Sequence, residues 1–186
     1  MEKRATGILE EEHHLIQKVV GSMAVLADGI QDGQVPETET LVDIADFMRI
    51  FAVKCHHEKE DNHLFPLLAR KGVPIAGCPI GALTHEHKTA GKLTADLGAA
   101  VEAYLKAPGE TVELLVKTLR GFVELYPGHI WKENYLLFPM TDKILDELEQ
   151  RELVKSFETV ERKIGPNVHQ RFEQLTEKLE ARVRKA

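Results

Sequence analysis

Apolar residues recur along this chain at intervals of three and four, the period of a helix and not the alternation of a strand. Leu9, Ile16, Val20 and Met23 mark one such stripe, and Leu41, Ala45, Met48 and Ala52 a second. Leu83, Ala90, Leu97 and Val101 mark a third, and Leu115, Leu119, Phe122 and Tyr126 a fourth. Gly-, Pro- and Asp-rich stretches at 28–40, 71–81 and 106–110 separate the four. The pattern predicts helices over roughly 5–28, 38–65, 79–106 and 110–138, with Pro66 and Pro139 ending the second and fourth. Short connections between long helices favour antiparallel neighbours, so the expected fold is all-α, an up-down-up-down four-helix bundle. Beyond Pro139 the pattern loosens, and 141–163 and 166–185 read as additional C-terminal helices on either side of Gly165-Pro166. The expected organisation is a bundle over 1–140 with a helical extension over 141–186 packed on it, because 186 residues suit one core better than two.

Polar groups interrupt every stripe near one end of this bundle. His13 follows Leu9 and precedes Ile16, and His87 stands in the same way between Leu83 and Ala90. The second stripe runs on through His56 and Glu60, the fourth through His129 and Glu133. The last two pairs belong to an internal repeat at an offset of 73 residues, His56-His-Glu-Lys-Glu60-Asp-Asn-His-Leu-Phe-Pro66-Leu against His129-Ile-Trp-Lys-Glu133-Asn-Tyr-Leu-Leu-Phe-Pro139-Met. His and Glu four apart share one helical face, so a ring nitrogen and a carboxylate oxygen can converge on one ion. A lone His-x-x-x-Glu is weak, but its duplication at the same distance from Leu-Phe-Pro is specific. His13 and His87 lie near the starts of their helices, Glu60 and Glu133 near the ends of theirs, which an antiparallel bundle brings to one level.

Four imidazoles and two carboxylates buried in one layer are costly unless paired or coordinated, since an uncompensated buried ion costs several kcal/mol. Two cations remove the conflict, with Glu60 and Glu133 shared between them and two histidines capping each. A mixed nitrogen and oxygen set suits iron or manganese better than calcium or a sulfur-seeking metal; two iron ions are the expected occupants, ahead of manganese or zinc. The His-x-x-x-Glu order also differs from the Glu-x-x-His motif of ferritin-type bundles.

Other residues change the picture less. His14, His57 and His85 lie off their stripes and read as solvated; Trp131 should face away from the site, and His169 in the charged tail reads as structural. His63 and Tyr126 lie on the metal-facing side, each as a possible neighbour of the site, with Tyr126 equally readable as a core aromatic. Cys55 and Cys78 form no Cys-x-x-Cys pair and are expected as free thiols, one in the core and one in a loop. A formal charge of −6 disfavours nucleic acid and anionic lipid as partners. No stretch approaches the roughly 20 apolar residues that span a bilayer, and MEKRATGILEEEHH holds no signal-peptide core, so a cytoplasmic location is expected. Oligomeric state leaves no signal.

Taken together, Glu12-His13-His-Leu-Ile, His56-x-x-Lys-Glu60-Asp-Asn-x-Leu-Phe-Pro, Pro79-Ile-Gly with Glu86-His87, and His129-x-x-Lys-Glu133 with Leu-Phe-Pro resemble the hemerythrin-like (HHE cation-binding) family over roughly 9–140. The resemblance implies a non-haem di-iron centre that meets dioxygen, nitric oxide or peroxide. Two departures stand out against the oxygen carriers of that family. Their His-x-x-x-His pair on the third helix is missing, with Leu83 and Gly91 four residues to either side of His87. Their His-x-x-x-x-Asp on the fourth helix is replaced by Glu133 and then Asn134. The sequence therefore offers six donors rather than seven. A binding or sensing module is the leading expectation, and an enzyme that reduces peroxide or nitric oxide, or donates iron for cluster repair, is the alternative.

Overall fold

The computed structural model describes residues 4–183, and among these there are six helices and no strand. Helix α1 is Ala5–Gln31. Helix α2 runs over 38–70, α3 is Ile80–Lys106, and α4 runs over 108–144. Helices α5, Glu147–Ile164, and α6, Val168–Val183, complete the chain. The first four form the expected up-down-up-down bundle, and the four apolar stripes line its core, with Ala45 alone only half-buried. The α3–α4 connection is a single residue, Ala107, because Pro108 already occupies the first turn of α4, where its missing N–H costs nothing.

Two expected helix ends are corrected. Pro66 and Pro139 do not terminate α2 and α4, which continue to Arg70 and Ile144, so that 141–144 belong to α4 and the fifth helix starts later than its sequence pattern suggested. The reason lies one turn earlier. In α2, Phe47–His57 and Glu60–Leu64 are wound as π-helix, and in α4 so is Glu133–Leu137. Phe65 and Phe138 each donate their backbone N–H to the carbonyl five residues back, that of Glu60 and of Glu133. A proline placed next has no N–H to leave unsatisfied, and the widened turn relieves the clash of its ring with the carbonyl behind it. The start of α5 is instead set locally. The Asp146 carboxylate accepts the Glu149 backbone N–H at 2.9 Å, and the Glu149 carboxylate accepts that of Asp146 at 3.1 Å, a reciprocal cap.

Helix α4 packs closely on α1 and on α3, and α3 on α2, but α1 and α2 approach one another less closely. Helices α5 and α6 lie along that seam. Phe172 of α6 is fully buried against Phe47 and Phe51 of α2, with ring centroids 5.6 and 5.4 Å away. The C-terminal helices thus complete the core and are not an appendage to it. Replacing Phe172 with Ala should lower the unfolding free energy by about 3–5 kcal/mol in urea titrations, the range for a buried aromatic; a loss inside the roughly 0.5 kcal/mol of a surface change would show that α6 stands outside the cooperative core.

Candidate metal centre

His13 of α1, His56 and Glu60 of α2, His87 of α3, and His129 and Glu133 of α4 meet in one buried layer. Their donor atoms fall into two groups that share both carboxylates. His13, His56, Glu60 and Glu133 form one, Glu60, His87, His129 and Glu133 the other, and within each group all the donor atoms lie within 4.8 Å of one another. The π-helical turns set this register. Glu60 and Glu133 each open a π-helical segment, at matching places in the repeat.

Each of the four rings is held from outside. His13 Nδ1 meets Asn134 Oδ1 at 2.7 Å, His56 Nδ1 meets Glu12 Oε2 at 2.9 Å, His87 Nδ1 meets Asp61 Oδ1 at 2.8 Å, and His129 Nδ1 meets Glu86 Oε2 at 3.0 Å. The acceptors place the ring proton on Nδ1 and leave Nε2 to face inward, the arrangement that orients an imidazole for a cation. Behind them stands a further pair, Lys59 on Glu12 and Lys132 on Glu86 at 2.7 Å. Phe138 stacks on His13 and Phe65 on His87, with centroids 5.4 and 5.5 Å apart. The repeat seen in α2 and α4 therefore extends to α1 and α3, and relates the two halves of the layer as a pseudo-two-fold pair.

Inside the layer the polar atoms do not satisfy one another. His13 Nε2 and His56 Nε2 stand 3.0 Å apart. Nε2 to carboxylate separations run from His13–Glu133 at 3.0 Å, through His129–Glu133 at 3.3 Å and His56–Glu60 and His87–Glu60 at 3.4 Å, to His87–Glu133 at 3.7 Å. No oxygen of Glu60 or Glu133 has a hydrogen-bond partner, nor has Nε2 of His87 or His129. Lone pairs facing lone pairs at these distances call for cations between them. Two donors each roughly 2.1 Å from one ion and at right angles to each other lie about 3.0 Å apart, so the spacing fits metal ions. The chemistry of the donor set fits as well.

Without cations the layer must hold protons. Burial and the neighbouring Glu133 push the Glu60 carboxyl well above the usual carboxylate range. Burial also opposes ionisation of Glu133, but His129 and His13 outweigh it and hold that carboxyl well below the range. Burial pulls His87 down, yet the Asp61 and Glu133 carboxylates win and raise it to about 9, whereas burial prevails at His56 and takes it to about 4.

Several residues stand where the sequence did not put them. His57 is buried, not solvated, and stacks on His87 with centroids 3.9 Å apart and planes 14° apart. In a regular α-helix Cys55, His56 and His57 would spread over about 200°; the π-helical wind of Phe47–His57 lets all three face inward. His14 and His85 are exposed as expected, and Trp131 is half exposed. Tyr126 is buried, its ring 5.8 Å from that of His129 and its hydroxyl without a partner. His63 is half-buried and outside the donor groups. His169 is not merely structural. Its Nε2 lies 2.9 Å from Glu12 and 3.0 Å from Glu161, and Glu161 of α5 also pairs with Lys59 at 2.7 Å. Burial works against the charge on His169, but the hydrogen bonds it donates to Cys55, Glu12 and Glu161 raise it to about 11. Glu12 and Glu161 are thus matched by Lys59 and His169, two anions by two cations. Sequence held a signal for part of this, since Glu precedes His13 and His87 alike and Lys follows His56 and His129 by three. For His169 and Glu161 it held none.

A model of the family described as the hemerythrin HHE cation binding domain matches residues 4–141. Comparisons with curated proteins and with solved structures find no match.

The two lysines should differ sharply on substitution. Lys59 is fully buried, and Lys59→Met leaves Glu12 and Glu161 short of a cation, for an expected loss of about 3 kcal/mol or more. Lys132 is 22% exposed in its side chain, and Lys132→Met should cost about 1 kcal/mol or less. Equal losses in chemical denaturation would contradict the pairing described. Metal uptake should also displace the proton on His87, so that protons are released at pH 7 in weakly buffered indicator solution. Affinity then rises with pH toward about 9, where His87 gives up its proton unaided. Uptake without proton release would refute the protonation pattern.

Proposed function

The chain belongs to the hemerythrin HHE cation binding domain family, and from that premise we propose that it is a non-haem di-iron protein that binds or senses a small oxidant or gas, namely dioxygen, nitric oxide or peroxide. The observation that carries this reading is the layer of unpartnered inward-facing donors, in which His13 and His56 would hold one ion, His87 and His129 the other, and Glu60 and Glu133 both. Nitrogen and carboxylate donors together suit iron, manganese or zinc; of these, iron is the one whose redox chemistry with dioxygen, nitric oxide or peroxide the proposal needs. Iron held by these residues would supply the electrons for reaction with a small oxidant.

What the polypeptide contributes follows from its own side chains. The Nδ1 hydrogen bonds to Asn134, Glu12, Asp61 and Glu86 fix four ring orientations before any ion arrives. Phe65, Phe138, Leu64 and Leu137 are buried around the layer and keep water and bulky anions out, which leaves small neutral molecules as the class admitted. The Tyr126 hydroxyl keeps its proton, because burial and then the Glu133 and Glu60 charges push its pKa far up, so it can donate a hydrogen bond but not act as a base. That unpartnered donor is what favours a second reading, turnover of the bound oxidant by an enzyme. No helix among the described residues is long and apolar enough to cross a membrane.

Anaerobic reconstitution should yield two irons per chain, and addition of dioxygen or nitric oxide should change the optical spectrum; His87→Ala and His129→Ala should each abolish that change. One zinc per chain with a native fold, or an iron-loaded protein inert to both gases, would overturn the proposal. Steady consumption of hydrogen peroxide or nitric oxide that disappears in Tyr126→Phe would select the enzyme over the sensor.

A further inference from the structure

Every ring in the donor layer but one has an outward partner. His57 is 2% exposed, and neither of its ring nitrogens has a hydrogen-bond partner. A ring needed only for stacking would carry no polar atoms into such a place, since a buried unmade hydrogen bond is costly. The repeat supplies an internal control. The residue that follows His129, as His57 follows His56, is Ile130, also 2% exposed, so an apolar side chain serves the packing role at this position. The nitrogen atoms of His57, His87 and His129 lie within 4.8 Å of one another, which is the span of donors around a single ion. His57 lies face to face with His87 and edge-on to His129, the latter at 5.6 Å between centroids; a lone pair lies in the plane of its ring, so a turn of the His57 ring out of this stack would be what brings its nitrogen onto an ion shared with His87.

We propose that His57 is a seventh donor of the centre, a third imidazole on the ion held by His87 and His129. This rests on the two-ion reading above and makes the ions inequivalent, with three imidazoles at one and two at the other. The π-helical winding that turns His57 inward is then what builds the additional donor. It lets one helix supply neighbouring histidines to different ions, His56 to the first and His57 to the second.

Cobalt(II) is a suitable probe, because its visible absorption reports coordination without any turnover. Wild-type protein titrated anaerobically should bind two equivalents. His57→Leu, close to the packing of Ile130, should keep one tight equivalent, weaken the other at least tenfold and alter its absorption. The metal-free His57→Leu protein should at the same time melt higher than metal-free wild type, since two unpartnered polar atoms are gone. His57→Ala leaves space for a free ligand, and added imidazole should restore the second equivalent. Two equivalents with unchanged affinity and spectrum in either variant would overturn the assignment and leave the two-ion reading standing. Fewer than two equivalents in the wild type would overturn both.

Discussion

Two glutamates sit at the centre of a helical bundle with no hydrogen-bond donor for any of their four oxygens. A carboxylate in that position is tolerable only when positive charge comes to it, as a proton, an imidazolium or a metal ion. The surrounding structure consists of devices that keep the contradiction in place without resolving it. Ring nitrogens point inward because their other nitrogens are held outward, and two of those outer acceptors, Glu12 and Glu86, are in turn held by lysines. Aromatic rings close the remaining directions, so water cannot enter to solvate the charge.

The pseudo-two-fold relation explains how so many groups arise from so little sequence. Each half uses Glu-His from one helix and His-x-x-Lys-Glu with a following Asp or Asn from the next, and each half's outer residues support its own rings or the other half's. Asp61 and Asn134 cross between halves, reaching His87 and His13 respectively. The symmetry is broken at several positions near the layer. Ile130 stands where His57 does, Val53 where Tyr126 does, and only the seam between α1 and α2 is covered by α5 and α6.

Much of this was legible in the sequence, for a definite reason. A period of 3.6 in the apolar residues gave four helices, and polar residues standing on those stripes picked out six side chains that the fold brings together in one layer. Hydrogen-bond register was not legible. Nothing in side-chain periodicity distinguishes an i−5 bond from an i−4 bond, so Pro66 and Pro139 read as helix ends and His57 was turned to the wrong side. The outer acceptors were readable in principle, because Glu12 and Glu86 repeat like the histidines they precede, but they lie one residue off the stripes. His169 and Glu161 lie more than a hundred residues along the chain from the Glu12 and Lys59 that they meet, and only the packing of α5 and α6 into the seam brings them there.

That covering seam has a consequence for how the protein responds to its medium. Lys59 and Glu12 are sealed beneath Glu161, His169 and Phe157, whose ring lies 5.6 Å from the ammonium, whereas Lys132 and Glu86 touch solvent. Dissolved salt screens charges that water reaches and has little hold on charges that it does not. A rise in ionic strength therefore loosens the grip of Glu86 on His129 and leaves that of Glu12 on His56 as it was, so that one end of the centre is tuned by the solution and the other by the fold alone.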